Sequence, residues 1–369
     1  MSDASGDVLT QRELNRATLA RQMLLDRAQL GPAEAIEHLV GMQAQAPRAP
    51  FVGLWSRLAD FRHEELSALV TSRHAVRAAL QRRTLHLVSA RDCLAMRPLL
   101  QPLLESGYRS SPFARRIAGA DIEAVRRAGQ TLLDERPLTR VELGRALIRQ
   151  WPDADEEALA YTISYLVPLV QVPPRGTWTG AGAARWTTVR AWLGADASQP
   201  MSADELLLRY LGAFGPATVM DAQAWCGLSR LGEVAERLGG RLRRFRDPDG
   251  RELLDLPEAP RPDPDTSAPP RFLPEYDNLL LSHADRSRVV PNGQMVPLYP
   301  GHGGTRGELL VDGMWAANWA ITRADGTATL TVETFGRLRQ RTAVIVEGFA
   351  LLAFVAPGAA HDVQVAPAP

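Results

Sequence analysis

AVRAALQRRTLHLVS, residues 75–89, reads as two short strands, residues 75–81 and 84–89, turned around Arg82-Arg83. What precedes it is helical. Thr10-Gln11-Arg12-Glu13 is a capping box, in which hydroxyl and carboxylate each satisfy an orphan N–H. Leu14, Ala17, Leu24, Leu25 and Ala28 follow at helical spacing. Pro32 opens a second helix that Gly41 ends, and Pro50 opens a third through Phe51, Leu54, Trp55 and Leu58. Three helices followed by a hairpin is the order of a winged helix-turn-helix.

The order recurs twice. Residues 121–133, 140–149 and 155–169 read as helices, the second opened by the capping box Thr139-Arg140-Val141-Glu142. Strands at 169–172 and 185–188 then enclose Pro173-Pro174-Arg175-Gly176, a wing tip. Ser202-Ala203-Asp204-Glu205 starts a third copy, with helices at 204–214, 219–226 and 231–238. Its hairpin, 242–245 and 252–256, turns at Asp247-Pro248-Asp249-Gly250. Residues 258–270, rich in Pro and Asp, read as a linker. Strands follow at 309–311, 314–321 and 327–334, with turns at Asp312-Gly313 and Asp325-Gly326. A closing helix is expected over 337–350 and an unstructured tail from Pro357. The expected fold is mainly α with β: three tandem winged helix-turn-helix modules at 8–112, 120–195 and 201–258, and a C-terminal β-barrel at 271–356.

Composition narrows the function classes. The chain has 369 residues, 45% of them hydrophobic and 23% charged, with zero net charge. No apolar run reaches the roughly 18–20 residues of a membrane span. Residues 1–8 are polar and acidic, unlike a signal peptide, so a cytoplasmic location is expected. Cys93 and Cys226 lie far apart, and the seven His form no ligand spacing; no metal or cofactor is expected. All 42 basic residues are Arg, which excludes any lysine Schiff base. Between Arg73 and Arg127 there are eleven arginines against four acids. A second basic run is Arg237, Arg241, Arg243, Arg244 and Arg246, while acids gather at 258–265 and 275–285. One basic face on a neutral body, or scattered solvated arginine, both give this pattern.

Gln43-Ala44-Gln45 lies between the Gly41 helix stop and Pro47 and Pro50. The prolines favour an extended chain, in which residues two apart point the same way. Gln43 and Gln45 would then present two neutral amides to one spot, able to hold a water or read a base edge. Taken alone the spacing is a weak signal, since in most globular chains it belongs to an exposed loop.

Val40-Gly41-Met42-Gln43-Ala44-Gln45-Ala46-Pro47, set after an N-terminal helix containing Asn15 and Arg21-Gln22, resembles the AlkZ/YcaQ group of bacterial DNA glycosylases. So do Arg83-Thr84-Leu85-His86 and Phe272-Leu273-Pro274-Glu275-Tyr276-Asp277-Asn278. The resemblance covers nearly the whole chain and implies tandem winged helices plus a β-barrel around DNA. It makes Gln43 and Gln45 catalytic, in the Gln-x-Gln pattern of the AlkZ branch. That branch implies release of bulky alkylated purines, unhooking of interstrand crosslinks and self-resistance to an alkylating antibiotic. A monomer acting on double-stranded DNA is expected, with no membrane partner.

Arg82, Arg83, Arg175, Arg243 and Arg244 are the arginines expected at phosphates, with His86 beside Arg83 at DNA. Asp277 and Asn278 either support the active site or cap a turn, the turn being favoured. Trp178, Trp186 and Trp192 are expected in the core. Two other functions use the same frame: a non-catalytic transcription regulator, since winged helices mostly read DNA without chemistry, and a protein that sequesters the drug itself.

Overall fold

In the computed structural model, residues 7–117, 119–195, 200–291, 294 and 306–368 are described. The acidic first residues, up to position 6, lie outside them. The chain divides into two compact units: one of residues 1–61, 207–225 and 230–369, the other of residues 62–206 and 226–229. Among the described residues no helix is long and apolar enough to cross a membrane.

The second unit holds two of the expected hairpins. Ala75–Ala79 pairs antiparallel with Leu85–Ser89, and Leu169–Val172 with Arg185–Thr188. The two hairpins join edge to edge, Arg77 opposite Gln171, which leaves fewer unpaired strand edges than separate wings would. Helices Ile122–Glu135, Arg140–Leu147 and Glu156–Leu166 pack beside them around Val125, Leu133, Leu143, Leu147, Leu159 and Ile163. The capping box of Thr139 and Glu142 forms as expected. Gly129 allows the close helix contact: a Cβ there would fall 2.3 Å from Ile163 Cδ1. Of the three tryptophans, Trp186 packs against this core. Trp178 stacks on His63 at 3.8 Å, and Trp192 lies half-buried under Arg73, 4.2 Å from its ring centroid.

The first unit opens with helix Gln11–Arg21, capped reciprocally by Thr10 and Glu13. The expected linker is a strap on this helix. Arg12 Nε donates to Pro264 O at 2.8 Å and Arg16 Nε to Thr266 O at 2.7 Å, four residues apart on one helix face. Arg21 grips Asp255 with both side chains fully buried. The third hairpin, Arg243–Arg246 with Glu252–Asp255, forms in the expected place.

The C-terminal strands depart from expectation. Among the described residues they form an open sheet in the order Ala360–Pro367, Thr327–Thr334, Met314–Ala324, Arg306–Val311, Arg271–Pro274, and not a closed barrel. The tail read as unstructured supplies the edge strand, parallel to Thr327–Thr334. A parallel neighbour needs a crossover, and helix Arg341–Val355 provides it. That helix lies against both edge strands and against Thr327–Thr334.

Candidate active site

The segment carrying Gln43 leaves helix Pro32–His38 through two left-handed residues, Val40 at φ 55° and Gly41 at φ 90°. Such a φ is costly for β-branched valine. The chain is extended at Met42–Gln43, bends at Gln45 and Ala46, and enters helix Ala49–Trp55. The two residues differ in exposure: Gln43 is 8% exposed, whereas Gln45 is exposed. Met42 is seated by Gly53, where a Cβ would lie 2.6 Å from Met42 Cε.

Gln43 lines a recess with Gln22, Arg57, Pro274, Asp277 and Asn278. Its volume is about 10 Å³, the space of a single water molecule. Three of the lining side chains are neutral amides, each offering both a donor and an acceptor. Arg57 and Asp277 form a bidentate pair, both bonds 2.8 Å. The free edge of Arg57 is taken as well: Nη2 donates to Gln22 Oε1 at 3.2 Å and Nη1 to Gly53 O at 3.0 Å. Gln22 Nε2 donates to Ala213 O at 2.7 Å, and Asn278 Nδ2 to Gly41 O at 2.9 Å. Asn278 thus ties the recess floor to the turn that launches Gln43.

Asp277 also accepts from Leu279 N at 3.0 Å, so it caps a turn and faces the recess at once. Left-handed backbone surrounds the site. Met23 (φ 55°), Val40 and Tyr276 (φ 63°) each lie within three residues of a lining side chain. Strain of this kind persists only where packing over-determines it, and it concentrates at functional sites. Arg57, just past helix Ala49–Trp55 with no motif around it, escaped the sequence reading; Gln22, at the end of helix Gln11–Arg21, entered it only as part of the helix that carries the resemblance, with no role assigned.

Of the residues expected at DNA, Arg82 and Arg83 occupy the hairpin tip as consecutive left-handed residues, φ 53° and 61°. Arg83 is exposed and runs across Gly107, where a Cβ would meet its Cδ at 2.5 Å. His86 departs from expectation, because it is fully buried. Its Nδ1–H donates to Thr84 O at 3.0 Å, and Nε2 receives Arg82 Nη2 at 3.4 Å. Burial first, then the Arg82 charge, pushes its pKa down to about 3. Such a neutral ring braces the hairpin tip and has no surface to offer DNA. Arg175, half-buried, donates to Gly182 O at 2.9 Å across its loop. In the first unit Arg243 is exposed and pairs with Asp7 at 3.1 Å. Arg244 pairs with Glu252 at 2.7 Å.

The model of the family described as "AlkZ-like: DNA glycosylase AlkZ-like" matches residues 36–354. Among solved structures the chain is similar in fold to the Streptomyces sahachiroi DNA glycosylase AlkZ, with a TM-score of 0.72 and 20% identity. That likeness covers 97% of this chain and 100% of the other. No curated protein matches the chain significantly.

Proposed function

The chain belongs to the AlkZ-like family of DNA glycosylases, and within that activity we propose that it hydrolyses the N-glycosidic bond of alkylated purines. The substrates in this reading are bulky N7-alkylguanine adducts and interstrand crosslinks in double-stranded DNA. The observation that carries it is the recess itself: about 10 Å³, lined by the amides of Gln22, Gln43 and Asn278. Such a site holds one water beside neutral amides, the one carboxylate in its lining, Asp277, being committed to Arg57.

An N7-alkylated purine is already cationic and leaves without being protonated. What remains is to orient a water toward C1′ and to stabilise the positive sugar as the bond breaks. The Gln43 amide oxygen orients that water from within the recess, and Gln45, on the exposed bend, meets the sugar. The Arg57–Asp277 pair holds the surrounding groups in place. Neutral amides are too weak to expel an ordinary base, which spares undamaged DNA. With no lysine in the chain, the reaction stops at an abasic site.

The same reading takes the four segments 8–112, 120–195, 201–258 and 271–356 as three winged helices and a β module, working as a monomer. Arg83 and Arg243, the exposed members of the arginine set, contact phosphates. Self-resistance to an alkylating antibiotic is the natural setting for such an enzyme. The test is incubation with N7-methylguanine DNA and with a crosslinked duplex, scoring alkali-labile sites. Release of the modified base supports the reading; none from either substrate, with DNA binding intact, overturns it.

A further inference from the structure

Glu308, on strand Arg306–Val311, is 1% exposed, and among the described residues neither carboxylate oxygen has a hydrogen-bond partner. Its neighbour in register on Met314–Ala324 is Asn318, whose amide oxygen is also buried without a partner. Residues directly opposite on an antiparallel pair have Cβ atoms about 5 Å apart on one face. Two buried acceptors facing each other with no donor would both pay the full desolvation cost. One proton on Glu308 joins one of its oxygens to the Asn318 oxygen, because a protonated carboxyl donates where a carboxylate cannot, and leaves the other carboxyl oxygen uncharged, which costs less to bury.

The row continues in both directions. Asn318 is opposite Glu333, which is exposed, and Glu308 is opposite Leu273. The polar row therefore runs from solvent inward over three strands. Beyond Leu273 the chain passes through Glu275 to Asp277, a wall of the recess. The charged groups around Glu308 are Glu275 and Asp277 beyond the first strand and Glu333 across the sheet. Arg57, paired to Asp277, and Arg306, two residues along the same strand, are the cations.

We propose that Glu308 is a positioning residue for a cationic reaction: a neutral acid in the free protein, its proton against the Asn318 amide oxygen, that ionises when positive charge arrives at the mouth of the recess that Asp277 lines. The proton is given up to solvent and taken back when the cation departs. Burial, reinforced by the charges of Asp277 and Glu275, independently raises the carboxyl's pKa well above the ordinary range. The surroundings of Asp277 accordingly gain a negative charge only when a cation is present to be stabilised. In its cationic partner the inference rests on the proposed function.

Two measurements on the full chain test it. Glu308→Gln keeps the shape and supplies an N–H donor to Asn318, so it folds. A group whose folded pKa is raised contributes stability below its unfolded pKa and loses it as pH rises. The urea midpoint of wild type is thus expected to fall relative to Glu308→Gln as pH climbs from 5 to 8. A midpoint difference that is constant with pH overturns the stored proton.

The second measurement is the proton count on binding, from binding heats in buffers of different ionisation enthalpy. The probes are a duplex with a cationic pyrrolidine abasic analogue and one with a neutral tetrahydrofuran analogue. Wild type is expected to release more protons than Glu308→Gln with the cationic probe only. Equal counts in the two proteins overturn the link to charge. Neither measurement uses catalysis, so a failure to release alkylated bases would fall on the proposed function and leave these results to decide Glu308.

Discussion

Arg57 holds Asp277 through two parallel 2.8 Å bonds, Nη1 to Oδ2 and Nη2 to Oδ1, with side chains 1% and 3% exposed. The two residues are 220 positions apart in sequence, and their pairing joins the helix after Gln43 to the loop that carries Asn278. Breaking one half of such a pair leaves an uncompensated buried charge, at about 3–5 kcal/mol. Arg57→Met and Asp277→Leu are each expected to lose about that much in urea unfolding. The double variant is expected to cost clearly less than the two losses added together. Strict additivity would show that the pair is not energetically coupled.

The buried histidines set an acid limit. His86 and His283 are both fully buried, with burial, then neighbouring arginines, lowering their pKa values to about 3. Unfolded, each titrates near 6.5. Between those values the unfolded state binds protons that the native state refuses, so stability falls as pH drops from about 6.5 toward 3. Urea midpoints over that interval check it. His86→Gln is expected to have a shallower slope, and a slope equal to wild type would contradict the assignment.

Gly53 makes room for Met42, the neighbour of Gln43. Gly53→Ala adds a methyl 2.6 Å from the end of a flexible side chain, which can move. The stability loss is expected to be modest, about 1 kcal/mol. Base release is expected to suffer more, on the order of tenfold or beyond, because Met42 moves the strand bearing Gln43. Single-turnover rates beside thermal melts separate the two effects.

Arg83 and Arg243 are exposed at their hairpins. Replacing either with Ala is expected to weaken binding to any duplex alike. The slope of log affinity against log salt should drop by about 1 for Arg83. Arg243, paired with Asp7, and Arg244, matched by Glu252, are expected to change it less. A loss confined to one sequence would point to base reading.

What the sequence revealed followed from local chemistry. The capping boxes at Thr10 and Thr139, the three hairpins and the Gln43 segment all depend on neighbours within a few residues. The site was only half legible, because Gln22, Arg57 and Asn278 reach Gln43 through packing of distant segments. The closing strand Ala360–Pro367 was missed for a related reason. It is polar and half-exposed, and only its pairing with Thr327–Thr334 makes it a strand. The barrel expectation failed because alternation along strands fixes which face is buried and leaves open what covers it. Here helix Arg341–Val355 does. His86 looked like a surface residue from its place beside Arg83; alternation sends its ring inward.

The most direct test is single-turnover release of N7-methylguanine from duplex DNA by wild type, Gln43→Ala and Gln45→Ala. The account predicts release by wild type, a fall of at least about 100-fold in Gln43→Ala with DNA affinity nearly unchanged, and a loss in Gln45→Ala as well. Undiminished release by Gln43→Ala would contradict it.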